Sequence, residues 1–265
     1  MNVALAQLTP TADRGQDGAR VQETIAERPE ADLIMFPELF IGGYPHGDLE
    51  PRALEAGGPE LAAIGESCRA AGTAAVVGFT EAVGPGSFSN SAACFDTDGS
   101  LAGVYRKTHL FGPGEKAAYT PGTSMLSIRL DGRMVGPQIC FDVEFPEPSR
   151  KLALAGAEVL VTIAANMKPY AADHRLAARA RALDNRLPHL YVNRTGSESG
   201  FDFVGESCVI APDGTVISEL GQEEGILESS IPVPASHGDS QTEYLGQLRP
   251  DLHVIVQDQS NGGDR

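Results

Sequence analysis

Short apolar runs bounded by turn residues alternate with stretches of helical character from Val3 to about Pro232. A chain patterned this way packs helices over sheets, so it belongs to the α/β class. Val3 to Leu8, Asp32 to Phe36, Ala74 to Phe79, Val159 to Ala164 and Leu190 to Asn193 read as strands. Helices are predicted at Asp13 to Arg28, Pro51 to Ala70, Glu147 to Ala155 and His174 to Arg186. Turn chemistry then marks three hairpins. Ser89 to Phe95 pairs with Leu101 to Lys107, Met125 to Leu130 with Arg133 to Cys140, and Ser207 to Ala211 with Val216 to Glu219. Nothing reads as a linker, so residues 1–265 are expected to form one domain. The mostly polar tail from about residue 232 should lie over the surface or a partner subunit.

Charge removes several kinds of partner. With 20 Lys and Arg against 36 Asp and Glu, the formal net charge is −16, which repels nucleic acid and anionic membrane surfaces. No apolar run reaches the roughly 18 residues that a membrane-spanning helix needs, and the start lacks the features of a leader peptide. A cytoplasmic location is therefore expected. Cys68, Cys94, Cys140 and Cys208 show neither Cys-x-x-Cys spacing nor paired histidines, so no metal, cofactor or disulfide framework is expected.

Three strand ends carry reactive side chains. Cys140 closes an apolar strand where the chain turns toward a helix, and such a thiol is expected to be exposed, with the helix N-terminus favouring its thiolate. It reads equally well as a buried structural cysteine, which is the reading for the other three. Glu38 follows Leu33-Ile-Met-Phe-Pro37 at another strand end, where catalytic groups of open α/β sheets collect, although a solvated carboxylate would look the same. Lys107 ends a third strand and could be an ordinary surface charge. As a set they make chemical sense. A thiol attacks a carbonyl, a carboxylate takes its proton, and an ammonium stabilises the oxyanion and lowers the thiol pKa.

The stretches Phe36-Pro-Glu-Leu-Phe40, Tyr105-Arg-Lys-Thr-His-Leu-Phe111 and Gly136-Pro-Gln-Ile-Cys-Phe-Asp-Val-Glu-Phe-Pro-Glu147 resemble the three signature motifs of the nitrilase, or carbon-nitrogen hydrolase, superfamily. Arg179-Ala-Arg-Ala-Leu-Asp-Asn185, Tyr191-Val-Asn-Arg-Thr-Gly196 and Gly205-Glu-Ser-Cys-Val-Ile-Ala-Pro-Asp-Gly214 extend the likeness. The resemblance implies a four-layer αββα sandwich, commonly paired into dimers or larger homo-oligomers. It implies Cys140 as nucleophile, Glu38 as general base and Lys107 as oxyanion stabiliser, assisted by the backbone N–H of Phe141. Glu115, in Phe111-Gly-Pro-Gly-Glu115, would orient the substrate or Lys107.

Nitrile-hydrolysing members usually carry Cys-Trp-Glu at the nucleophile, whereas Cys140-Phe-Asp resembles the amidase branch. The implied reaction is cofactor-free hydrolysis of a small carboxamide to a carboxylate and ammonia through a cysteine thioester. Action on N-carbamoyl amines, on nitriles, or a silent binding role are the alternatives. Tyr44 and Met167 either line the pocket or simply pack, and Met167 stands where many members have a tryptophan. His109 reads as structural, and Asp142, Glu147 and Arg150 as an ion-pair and hydrogen-bond set around the cysteine turn. Pro137 lacks a ladder donor and therefore belongs at a sheet edge or irregularity.

Overall fold

The computed structural model describes residues 1–44, 47–231 and 244–252. The strands are β1 (Asn2–Gln7), β2 (Leu33–Met35), β3 (Ala74–Gly84), β4 (Ser87–Phe95), β5 (Leu101–Arg106), β6 (Ile128–Leu130) and β7 (Arg133–Ile139). They continue with β8 (Val159–Ala164), β9 (His189–Asn193), β10 (Ser197–Glu198), β11 (Phe201–Asp202), β12 (Cys208–Ile210), β13 (Val216–Glu219) and β14 (Gly225–Ser230). The helices are α1 (Arg14–Ala26), α2 (Pro59–Ala71), α3 (Gly112–Ala118), α4 (Pro146–Leu154) and α5 (Ala171–Asn185), with 3-10 turns at Cys140–Glu144 and Leu245–Gln247.

Two six-stranded sheets form, ordered β14-β1-β2-β3-β4-β5 and β13-β12-β9-β8-β7-β6. Each has a parallel centre (β1, β2, β3 and β7, β8, β9) flanked by antiparallel strands. Period-two alternation divides each central strand between two cores. Val3 and Leu5 of β1 join Met35, Val76, Val135, Ile139, Val161 and Ile163 between the sheets. Ala4 and Ala6 instead meet Val21 and Ile25 of α1 and Leu61, Ile64 and Cys68 of α2. On the far side Leu152 and Ala153 of α4 pack on Leu160, and α5 lies against β9 and β12. The result is helix, sheet, sheet, helix, the expected four layers.

Local chemistry sets the boundaries. Helix α1 starts where Asp13 accepts the N–H groups of Gly15 and Gln16, both at 2.9 Å. The helix expected from Pro51 begins only at Pro59, because Gly58 is its N-cap and proline suits the first turn, where its missing N–H costs nothing. Residue 54 serves the first sheet instead: Leu54 N–H donates to Thr80 and its carbonyl accepts from Ala82. Pro137 sits beyond Val135, the last β7 residue paired with β6, so it has a strand on one side only. Strand β14 and helix α3 carry no strong sequence signal and are additions by the structure.

The expected tail falls largely outside the described residues, since 232–243 and 253–265 are not described. Within 244–252, Tyr244 accepts a 2.5 Å bond from Arg186, whose guanidinium lies 4.2 Å over the ring. Among the described residues no helix is long and apolar enough to cross a membrane.

Candidate active site

The carboxyl ends of β2, β5, β7 and β8 meet at one edge of the sandwich, and each delivers one group. Two residues past β2, Pro37 turns the chain and Glu38 enters the interior with no exposed surface. Leu39 follows with φ 49°, a left-handed conformation uncommon for a side chain of this size. The turn packs so closely on β3 that a Cβ on Gly78 would stand 2.2 Å from the Pro37 carbonyl and 2.8 Å from Glu38 Cα. Only glycine fits. A glycine inside an apolar strand is a general sign of such close approach, but the sequence did not show what approaches it.

Glu38 is held from three directions. Asn90 Nδ2 donates to Oε1 at 2.7 Å, Lys107 Nζ to the same oxygen at 2.6 Å, and Ala165 N–H to Oε2 at 2.8 Å. Lys107, also fully buried, donates to both oxygens of Glu115 at 3.0 and 2.8 Å. Helix α3 carries Glu115, which accepts the Phe111 N–H at 2.9 Å and the Tyr44 hydroxyl at 3.1 Å. An ammonium therefore bridges two carboxylates, leaving the trio with a formal charge of −1. Burial opposes the charge on Lys107, but Glu115 and Glu38 more than compensate and hold its pKa well above the ordinary lysine range. Burial raises the Glu115 carboxyl despite the pull of Lys107, and it raises the Tyr44 hydroxyl, reinforced by Glu115.

Cys140 stands at the end of β7 with φ 48° and 7% of its surface exposed. The expectation of an exposed, thiolate-leaning sulfur is corrected here. Burial and then the negative charge of Glu38 push the thiol well above its ordinary pKa, and the lowering by Lys107 does not prevail. Helix α4 also starts only after the 3-10 turn, which distances its N-terminus from the sulfur. The backbone of Ala165, whose N–H binds Glu38, offsets only a small part of the rise in the thiol pKa. The other three cysteines are buried away from this cluster, with thiols pushed up to about 12 by burial.

Behind Cys140, Asp142 builds the turn. It accepts Ile139 N–H at 3.0 Å, Tyr105 O–H at 2.7 Å, Thr108 O–H at 2.8 Å, His109 N–H at 3.0 Å and His109 Nδ1 at 2.8 Å. Burial alone would raise this carboxyl, but the His109 and Tyr105 bonds outweigh it and hold the pKa below the usual carboxylate range. His109 turns to Asp142 and stacks on Phe145 at 4.2 Å, in keeping with a structural role. Glu147 and Arg150 do not join the set. Glu147 is exposed, while Arg150 donates to the Asp184 carbonyl.

Tyr44, Phe141 and Met167 all line the narrow recess over the sulfur, together with Phe111, Asn166 and Tyr170. Asn166 is fixed by Asn193, whose Oδ1 accepts its N–H at 2.8 Å and whose Nδ2 returns a bond to its carbonyl at 3.2 Å. Sequence reasoning missed Asn90, Ala165, Glu144 and His174 around this space. Ala165 directly follows β8 and Glu144 lies within the cysteine motif, whereas nothing local marked Asn90 or His174.

The carbon-nitrogen hydrolase family model matches residues 2–236. A hydrolase of Pseudomonas protegens is 36% identical over 259 residues, covering 96% of this chain and 90% of that protein. An (R)-stereoselective amidase of a Pseudomonas species is 37% identical over 233 residues, covering 84% and 82%. Among solved structures, a variant of an amidase from Nesterenkonia sp. AN1 superimposes with TM-score 0.84 at 30% identity, covering 96% of this chain and 98% of that one. In that structure acrylamide has added to the active-site cysteine.

Proposed function

The chain belongs to the carbon-nitrogen hydrolase family, and from that premise we propose that it is an amidase that converts small carboxamides to carboxylates and ammonia through a thioester on Cys140. The observation that carries this reading is the buried Lys107 ammonium bonded at once to Glu38 and Glu115, with Glu115 and Cys140 lining one recess.

The raised thiol pKa means that the sulfur starts protonated, so attack requires a base. Glu38 takes the Sγ proton as the C–S bond forms, and the carbonyl electron pair moves onto oxygen. The Lys107 ammonium and the Phe141 backbone N–H stabilise the oxyanion. Collapse breaks the C–N bond, and Glu38 returns the proton to the departing nitrogen, which leaves as ammonia. Water then loses a proton to Glu38 while attacking the thioester, and the thiol leaves with that proton. Glu115 and Tyr44 keep the ammonium aimed throughout, and Asn90 holds Glu38 in the plane that serves both steps.

Ammonia release from a panel of small aliphatic and aromatic amides tests the proposal. Cys140→Ala and Glu38→Gln should each lower kcat by at least about 10⁴-fold, since each removes a member of a unit that acts jointly. Retention of appreciable turnover by either variant on every amide cleaved by the unmodified enzyme rejects the assignment.

A further inference from the structure

If the chain is the amidase proposed above, the charges around Cys140 also specify which amides it prefers. The recess is walled by the rings of Tyr44, Phe111, Phe141 and Tyr170 and holds two carboxylates, Glu115 and Glu144, while no arginine or lysine lines it among the described residues. Glu115 is matched by Lys107. Glu144 ends the 3-10 turn that begins at Cys140, and its side chain is 30% exposed.

The partner of Glu144 is His174, whose Nε2 lies 3.2 Å from Oε1. The other ring nitrogen, Nδ1, is 2.9 Å from the Tyr191 hydroxyl. His174 thus holds the Glu144 carboxylate from one side while Tyr191 holds the ring from the other. Neighbouring cations are engaged elsewhere. Arg181 donates to the carbonyls of Val143 and Glu144 and to the carboxylate of Asp184, and Lys168 reaches Asp202 at 3.8 Å. A substrate in the recess thus meets the Glu144 carboxylate and the formal −1 of the Lys107 trio.

The geometry points to Glu144 as a specificity-determining residue that selects carboxamides whose acyl chain bears a protonated amine and turns away isosteres that bear a carboxylate. Glu144 pairs with a cation there, and an anion in the same place is opposed by it and by the net charge of the Lys107 trio.

Three amides of equal chain length isolate the effect: β-alaninamide ends in an ammonium, butyramide in a methyl and succinamate in a carboxylate. For the unmodified enzyme kcat/KM should be about tenfold higher for β-alaninamide than for butyramide, and lowest for succinamate, with the difference expressed mainly in KM. In Glu144→Gln the ammonium-to-methyl ratio should fall toward one, while Glu144→Asp should keep it above one. Raising salt to about 0.5 M should shrink the same ratio in the unmodified enzyme, a readout that needs no variant to fold. Equal rates on β-alaninamide and butyramide, or a ratio indifferent to Glu144→Gln, would overturn the assignment while leaving the amidase reading intact. Absence of ammonia from all three, and from the wider amide panel, would remove both.

Discussion

Two buried carboxylates flank the Cys140 turn, and they live under opposite regimes. Asp142 accepts five bonds from Ile139, Tyr105, Thr108 and His109. Saturated in this way, its charged form is so favoured that it is a poor proton acceptor. Glu38 accepts only three bonds, one of them from an ammonium shared with Glu115. A carboxylate proposed to take a proton and return it should not be satisfied as completely as one that holds a turn. The contrast teaches that bond count, more than burial, separates the two roles, since both side chains have no exposed surface.

The sharpest way to break the contrast is to remove the shared cation. Lys107→Met should lower kcat by at least about 10³-fold through loss of the oxyanion donor. It should also cost about 3 to 5 kcal/mol of stability, because Glu38 and Glu115 are left facing each other without compensation. Activity assays with urea unfolding check both, and a stable, active variant would show that the trio carries neither role.

Next in size is Asp142→Asn, expected to cost about 1 to 3 kcal/mol by leaving donors unmatched around the turn. Here the sign with pH is fixed. The folded pKa of Asp142 is depressed, so its contribution is complete above the unfolded value of about 3.9 and fades as pH falls through the lower folded value. Stability curves of the two proteins should therefore converge below pH 4, and parallel curves would refute the role given to this carboxylate.

A smaller effect concerns the sulfur itself. Because the Glu38 charge raises the thiol pKa, Glu38→Gln should move the pH inflection of Cys140 alkylation downward even as hydrolysis collapses. Iodoacetamide kinetics followed by intact mass report the inflection, and an unchanged value would mean that burial alone sets it. Smallest is His109→Ala. With Asp142 keeping its other donors, turnover should stay within about tenfold of the unmodified enzyme. Loss comparable to that of Glu38→Gln would transfer the role of base to the histidine.

Glu38, Lys107 and Cys140 each follow a strand, at the sheet edge where ligands collect, but it was the motif resemblance that set them apart from ordinary strand-end residues. Glu115 could be placed by motif, although the short helix that carries it could not, since Gly112, Pro113 and Gly114 are poor helix formers. What stayed hidden depends on contacts between distant segments. The burial of Cys140 follows from closure of the recess by Tyr44, Phe111 and Met167, and no local pattern around residue 140 encodes it. Asn90 looked like any polar residue on an alternating strand, yet it faces Glu38 across 52 positions of sequence. Glu147 and Arg150 illustrate the reverse error, where proximity in sequence to a reactive turn was mistaken for participation in it.

The pairing of β1 with β14, from Asn2 with Ser230 to Gln7 with Gly225, has a consequence for how the protein is made. On leaving the ribosome, β1 keeps one edge open until its antiparallel neighbour is synthesised more than 200 residues later. At about 5 to 20 residues per second that wait lasts roughly 10 to 45 seconds. During it, an apolar ribbon with unpaired amides can recruit other nascent chains, so chaperone protection during translation should matter more to yield than the stability of the finished molecule.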